Sequence, residues 1–209
     1  MGSRKHIKKR CSRCLIHHEL CQCSDYQGIE LTPQMHLLQS GREYERPTST
    51  GALACNFISN SKRYVYGRRD TEFDSSFLDL QDACLLYRHP KAKIIEELSD
   101  KSEVTKYKNL IVLDGSWREI RRLFNRLKLV NKWPIYMFNN PPKTRWGVRS
   151  EYFENGLATA EAIAYFMQLI GEDKKSEKLM KFFDYHTKNI LRMRGITTPP
   201  SSHLNSNLP

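Results

Sequence analysis

Asn109-Leu110-Ile111-Val112-Leu113-Asp114-Gly115-Ser116-Trp117 is the most consequential stretch of this chain. Four aliphatic side chains in succession, Leu110 to Leu113, predict a strand covered on both faces. Asp114 and Gly115 end the run, and Ser116 followed three residues later by Glu119 has the pattern of a capping box. A helix is therefore predicted over residues 117–131, with Ile120, Leu123, Phe124, Leu127 and Val130 on one face. A strand running through a polar turn into a helix is a unit of a parallel α/β sheet, and ligands in such sheets sit outside the carboxyl ends of the strands. Asp114 is accordingly the candidate catalytic carboxylate. The alternative is that Asp114 and Ser116 only shape the turn, where Gly115 permits tight backbone.

Outward from this unit, residues 31–38 read as a first strand, 51–60 as a short helix and 62–66 as a strand carrying Tyr64 and Tyr66. Ala83 to Tyr87 reads as a buried strand, Lys91 to Leu98 as a helix and 134–138 as a further strand. Helices are predicted over 159–170 and 174–194, with Gly171 and Gly195 where C′ glycines stop them. Strands alternating with helices make the fold class α/β with a mostly parallel sheet. The Pro/Ser/Asn-rich tail 197–209 is expected to be disordered.

The N-terminal lead, residues 1–30, holds Cys11, Cys14, Cys21 and Cys23 at metal-ligand spacing. Four thiolates complete a tetrahedral shell for zinc, with iron as the alternative metal and His17 or His18 as alternative ligands. Disulfides are the rival reading. Met1 to Arg10 is strongly basic and no apolar run follows, so no secretory signal is read, and a reducing, cytoplasmic setting favours the metal. Cys55 and Cys84 lie in apolar contexts and read as buried structural thiols.

With 209 residues, 39% of them hydrophobic, the chain can bury one good core, and a mean hydropathy of -0.63 excludes a membrane span. Lys and Arg number 34 against 23 Asp and Glu, a formal charge of +11, which points to a polyanion and most simply to nucleic acid. The polar face of the 117–131 helix concentrates this charge in Arg118, Arg121, Arg122, Arg126, Lys128 and Lys132, with Glu119 its single acid. A solvated face normally mixes signs, so phosphate contacts fit better. Arg4, Lys5, Lys8, Lys9 and Arg10 add to it, as do Arg68 and Arg69 after Tyr64 and Tyr66. Cations beside aromatics suit single-stranded or looped RNA.

Thr48, Ser49 and Thr50 before Gly51 read as a helix cap or as a hold on a ligand, and Thr159 with Glu161 as another helix start. No G-x-G-x-x-G, Walker A, H-E-x-x-H or Ser/His/Asp order occurs.

Taken together these segments resemble the DTW-domain family of tRNA-uridine aminocarboxypropyltransferases. The resemblance is carried by the cysteine cluster and by Thr48-Ser49-Thr50-Gly51 preceded by Glu43 and Arg46. It continues through Leu85-Leu86-Tyr87, Asp114-Gly115-Ser116-Trp117 and Leu157-Ala158-Thr159-Ala160-Glu161-Ala162, in family order over residues 11 to 170. Ser49 stands for Asn, Ser116 for Thr and Ala158 for Ser; Gln39-Ser40-Gly41 replaces an expected histidine region, and Arg88 a proline. The resemblance implies a SPOUT-like domain over 31–196 with a C-terminal trefoil knot. It also implies transfer of the 3-amino-3-carboxypropyl group of S-adenosylmethionine to N3 of a tRNA uridine, by compact size the variable-loop uridine, with the D-loop uridine of other family members as the alternative. Donor contacts would come from Thr48, Ser49, Thr50, Gly51, Tyr87, Leu113, Gly115, Ser116, Trp117, Leu157 and Thr159, and tRNA contacts from Arg46, Arg68, Arg69, Arg118, Arg121, Arg122 and Arg126. Asp114 would orient or accept the N3 proton, and Trp117 would stack on adenine or on the flipped base or belong to the core. An RNA methyltransferase and a silent zinc-containing RNA-binding module are the competing classes. No membrane and no obligate protein partner are expected.

Overall fold

Alternate residues of the central strands are buried on opposite faces, so the sheet is covered on both sides. Met35, Leu37, Cys84, Leu86, Leu110 and Val112 belong to one apolar cluster, and Leu38, Ala83, Leu85 and Ile111 to another. The computed structural model describes residues 9–44, 46–148 and 156–196. Arg4, Lys5, Lys8 and the tail 197–209 lie outside them.

In chain order the elements are β1 (Gln34–Ser40), α1 (Gly41–Tyr44), α2 (Thr50–Phe57), β2 (Ser61–Tyr66), β3 (Ala83–Leu86) and β4 (Lys93–Ile94), then α3 (Ser102–Thr105), β5 (Asn109–Asp114), α4 (Trp117–Arg126), β6 (Ile135–Met137), α5 (Thr159–Leu169) and α6 (Asp173–Met193). The six strands form one sheet in the order β2-β1-β5-β3-β6-β4, and every pairing is parallel. β5 lies between β1 and β3, and β6 between β3 and β4, so late strands are inserted between early ones. The buried faces of α2, α5 and α6 complete one cluster, and that of α4 supplies Leu123 and Phe124 to the other.

The strand at 109–114 and the cap at Ser116 are where the sequence places them, and α5 and α6 end before Gly171 (φ 84°) and Gly195 (φ 76°). Other expectations require correction. β1 starts at Gln34 and reaches Ser40 rather than spanning 31–38, and the helix expected over 51–60 ends at Phe57. Residues 91–98 are not a helix. The Ala92 amide donates to the His89 carbonyl (2.9 Å) to close a turn over Pro90, Lys93–Ile94 then pairs with β6, and Ile95–Glu97 forms a single 3-10 turn burying Ile95. The helix predicted to 131 stops at Arg126 because Lys128 adopts φ 51°, from which a 3-10 turn at Leu129–Asn131 buries Leu129. Such an excursion leaves no mark in a hydrophobic pattern. The short helices α1 and α3 were not foreseen.

The cysteine-bearing lead docks on α6. The Tyr185 hydroxyl accepts from the Gln22 amide (2.6 Å) and donates to the Leu20 carbonyl (3.1 Å). Tyr26 packs between the Phe182 and Tyr185 rings, at 5.6 and 4.9 Å. His186 meets the Cys14 carbonyl through Nδ1 (2.9 Å) and stacks on Trp146; burial pushes its pKa down to about 4, so the ring is neutral. Tyr185→Phe should remove both backbone contacts, costing about 1–2 kcal/mol locally. Faster amide exchange at residues 20–22, with β5 unaffected, is the expected result.

Candidate active site and metal centre

Asp114, the last residue of β5, is 4% exposed and holds its carboxylate among three side-chain donors. Gln39 Nε2 (2.6 Å) and Ser49 Oγ (3.0 Å) donate to Oδ2, and Thr159 Oγ1 (2.6 Å) to Oδ1. Each donor comes from a different element. Gln39 lies opposite Asp114 in the β1–β5 register, Ser49 is the N-cap of α2, and Thr159 opens α5. Ser49 also accepts from the Ala52 amide (3.0 Å) and from Gln39 Nε2 (2.7 Å), which uses the hydroxyl's full capacity. Both amide hydrogens of Gln39 are thus committed, while its Oε1 accepts from Arg63 Nε (2.7 Å) and from Nη2 of the same guanidinium. Arg63 lies over the Tyr44 ring (4.2 Å), and burial lowers its pKa. A cation, an amide and a carboxylate therefore form a satisfied buried chain.

Gly51 is required by this arrangement. A Cβ there would stand 2.5 Å from Asp114 Cγ. Ser49 thus acts as the cap and as a carboxylate partner, and Thr48, Ser49, Thr50 and Gly51 do not line the neighbouring cleft. At Gly115 a Cβ would stand 2.8 Å from Ser40 Oγ and 3.1 Å from Ile120 Cδ1. Ser116 caps α4 by exchanging hydrogen bonds with Glu119, which receives the Ser116 hydroxyl (2.7 Å) and amide (3.1 Å). Burial works against the Glu119 charge, but these bonds outweigh it and hold the carboxyl below its ordinary value.

A cleft of about 290 Å³ opens at the carboxyl ends of β3, β5 and β6. Tyr87, Leu113, Gly115, Trp117, Leu157 and Thr159 of the expected donor residues line it; Ser116 does not. Leu86, Val112, Ile120, Met137, Phe138 and Asn139 complete much of the wall and were not assigned from sequence. Its α5 side is braced by buried Glu161, which accepts from Thr144 Oγ1 (2.5 Å), the Arg145 amide (2.6 Å) and the Ala158 amide (2.8 Å); burial raises its pKa.

A second, open groove shares Tyr87, Arg88, Trp117 and Met137 with the cleft and continues along His89, Phe124, Arg118, Arg121 and Arg122. Tyr87 and Phe124 stack at 4.5 Å, and Trp117 stands 6.0 Å from Tyr87. Arg122 also lines a further groove with Arg42 and Arg126. Among the described residues no carboxylate pairs with Arg118, Arg121, Arg122 or Arg126. Arg68 instead pairs with Asp70, Arg69 is exposed, and Arg46 pairs with Glu43 (3.6 Å). The groove was half legible: α4 announced its arginines, but His89 fell between a stretch read as strand and one read as helix.

The thiols of Cys11, Cys14, Cys21 and Cys23 all lie within 4.8 Å of one another, and three S···S separations are 3.6, 3.5 and 3.4 Å. A tetrahedral ZnS₄ centre has S···S edges of about 3.8 Å, so the donor set fits zinc. Burial alone would raise the Cys11 thiol, but the backbone amides of Cys14 and Arg13 outweigh it and bring the pKa to about 7; burial raises Cys14 and Cys23. Arg13 ties the loop down through the Cys23 and Tyr26 carbonyls and lies over the Phe57 and Phe182 rings. Cys55 and Cys84 stand apart, and burial pushes each thiol up to about 12.

A family model described as DTW domain matches residues 8–191, most of the chain. No solved structure matches it. No helix among the described residues is long and apolar enough to cross a membrane.

Two tests follow from this geometry. Purified protein should carry about one zinc per chain, and Cys14→Ser should release it and loosen the lead, because structural zinc supplies folding energy; elemental analysis and amide exchange report both. Asp114→Asn turns an acceptor among three donors into a mixed group and should cost about 1.5–3 kcal/mol, read from urea midpoints.

Proposed function

We propose a reaction for this chain, which belongs to the DTW-domain family, that of the tRNA-uridine aminocarboxypropyltransferases. The family supports a tRNA-modifying role. Our reading is that the protein transfers the 3-amino-3-carboxypropyl group of S-adenosylmethionine to N3 of a tRNA uridine, the variable-loop uridine by its compact size. The observation that carries it is one shared wall: Tyr87, Arg88, Trp117 and Met137 border both the cleft and the arginine-rimmed aromatic groove.

When bound, the donor supplies an electrophilic γ-carbon on a sulfonium that departs as 5′-methylthioadenosine, while uridine N3 gives up its proton. The cleft residues Leu113, Gly115, Trp117, Leu157 and Thr159 would hold it, with the apolar side chains of Leu86, Ile120 and Phe138 suited to an adenine ring. Tyr87 and Trp117 offer stacking faces at the junction, and Arg118, Arg121 and Arg122 take phosphates along the groove. Asp114 is best read as a positioning residue. Three donors already engage its oxygens, and it fixes Thr159, which lines the cleft. The N3 proton then leaves to solvent through the open groove, and catalysis is mainly alignment of N3 with the γ-carbon.

On the same reading, residues 31–196 form a SPOUT-like catalytic domain with a trefoil-knotted end, and 1–30 a zinc-stapled lead, acting in the cytoplasm. The all-parallel sheet with late strands inserted between early ones supports that domain.

Incubation with tRNA and donor labelled separately in the methyl and carboxypropyl carbons should place only the carboxypropyl label in RNA. Methyl label would indicate a methyltransferase, and no label a binding module. Replacing Arg121, Arg122 and Arg126 together should weaken tRNA binding and reduce its salt slope by about 2, with donor affinity unchanged. In single turnover, Asp114→Asn should raise the donor concentration required while leaving the shape of the pH–rate profile intact. A profile that loses its basic limb would restore Asp114 as the general base.

A further inference from the structure

His89 has no part in the reading so far, although it stands in the groove beside the shared wall. It is held in one orientation and one tautomer. The turn closed by the Ala92 amide on the His89 carbonyl carries Pro90 at its second position and brings the Lys91 amide to His89 Nδ1 at 3.2 Å. A backbone amide can only donate, so Nδ1 must accept. In the neutral ring the proton therefore sits on Nε2, the nitrogen on the far side. The ring is steadied by Phe124 at 5.2 Å and lies 6.5 Å from Tyr87, nearly parallel to it (25°). The groove thus presents an N–H donor beside the Tyr87 ring, one face of which Phe124 covers.

We propose that His89 is the specificity-determining residue that selects uracil over cytosine, donating from Nε2 to the O4 carbonyl of the base stacked at Tyr87. This rests on the RNA reading above. Uracil has a carbonyl acceptor at C4 where cytosine has an amino donor. A locked donor meeting an amino group leaves two donors facing each other without an acceptor, and such sites reject the wrong partner strongly. The same bond has a second effect. When N3 loses its proton, the charge spreads onto O4, and a positioned N–H there stabilises it.

Binding of single-stranded oligouridine and oligocytidine of equal length, followed by fluorescence anisotropy at fixed salt, tests the assignment without turnover. The wild-type protein should prefer oligouridine by about tenfold. His89→Ala should abolish the preference, and His89→Gln, whose Nε2 amide restores a donor, should recover much of it. In single turnover on tRNA, His89→Ala should be slower by about ten- to a hundredfold with donor affinity by calorimetry unchanged. A wild-type protein without preference, or His89→Ala retaining the wild-type preference, overturns the role of His89 and leaves the tRNA reading standing. Failure of the wild-type protein to bind either oligomer or tRNA overturns the RNA reading itself, and this inference with it.

Discussion

A buried carboxylate has to be surrounded by donors, and the way Asp114 meets that requirement organises the rest of the molecule. Its three partners come from β1, the start of α2 and the start of α5. One side chain therefore holds two neighbouring strands in register and fixes the angle at which two helices leave the sheet. The demand propagates. Gln39 can give both hydrogens only because Arg63 occupies its oxygen, and α2 can approach only because residue 51 has no side chain. The cleft shares Thr159 with this cluster, so the same carboxylate that orders the strands also positions part of the cleft wall.

The two cation systems of the protein do different work. Arg63 and Arg13 are turned inward, one into the Asp114 chain and one across the carbonyls of the cysteine lead, where they satisfy buried acceptors. The α4 arginines are turned outward without carboxylate partners among the described residues, a surplus that favours a polyanion. The cysteine cluster is anchored to α6 and, through Arg13, to the ring of Phe57, and none of its four thiols lines the cleft.

Much of the architecture was legible because its signals are local. Leu110 to Leu113 reports burial on both faces, Ser116 and Glu119 report a cap, and Gly171 and Gly195 report helix ends. The misread stretch at 91–98 shows the limit: Pro90 begins a turn and Ile94 pairs with β6, a partner more than 40 residues away that no window contains. The site was legible in part for the same reason. Asp114, Thr159 and the arginines stand in recognisable patterns, whereas the Gln39–Arg63 link depends on two strand ends meeting across the sheet. His89 becomes readable only once the turn over Pro90 and its amide contact are seen.

The strand order also bears on how the protein is made. A chain emerging from the ribosome presents β1 and β3 well before β5, yet these two never touch and need β5 between them. Until then the nascent half carries unsatisfied strand edges, the kind that invite wrong pairing. Closure of the Asp114 cluster comes later still, when Thr159 has been synthesised. Vectorial synthesis therefore completes the sheet only once its late strands have emerged, and the site later still, when α5 begins.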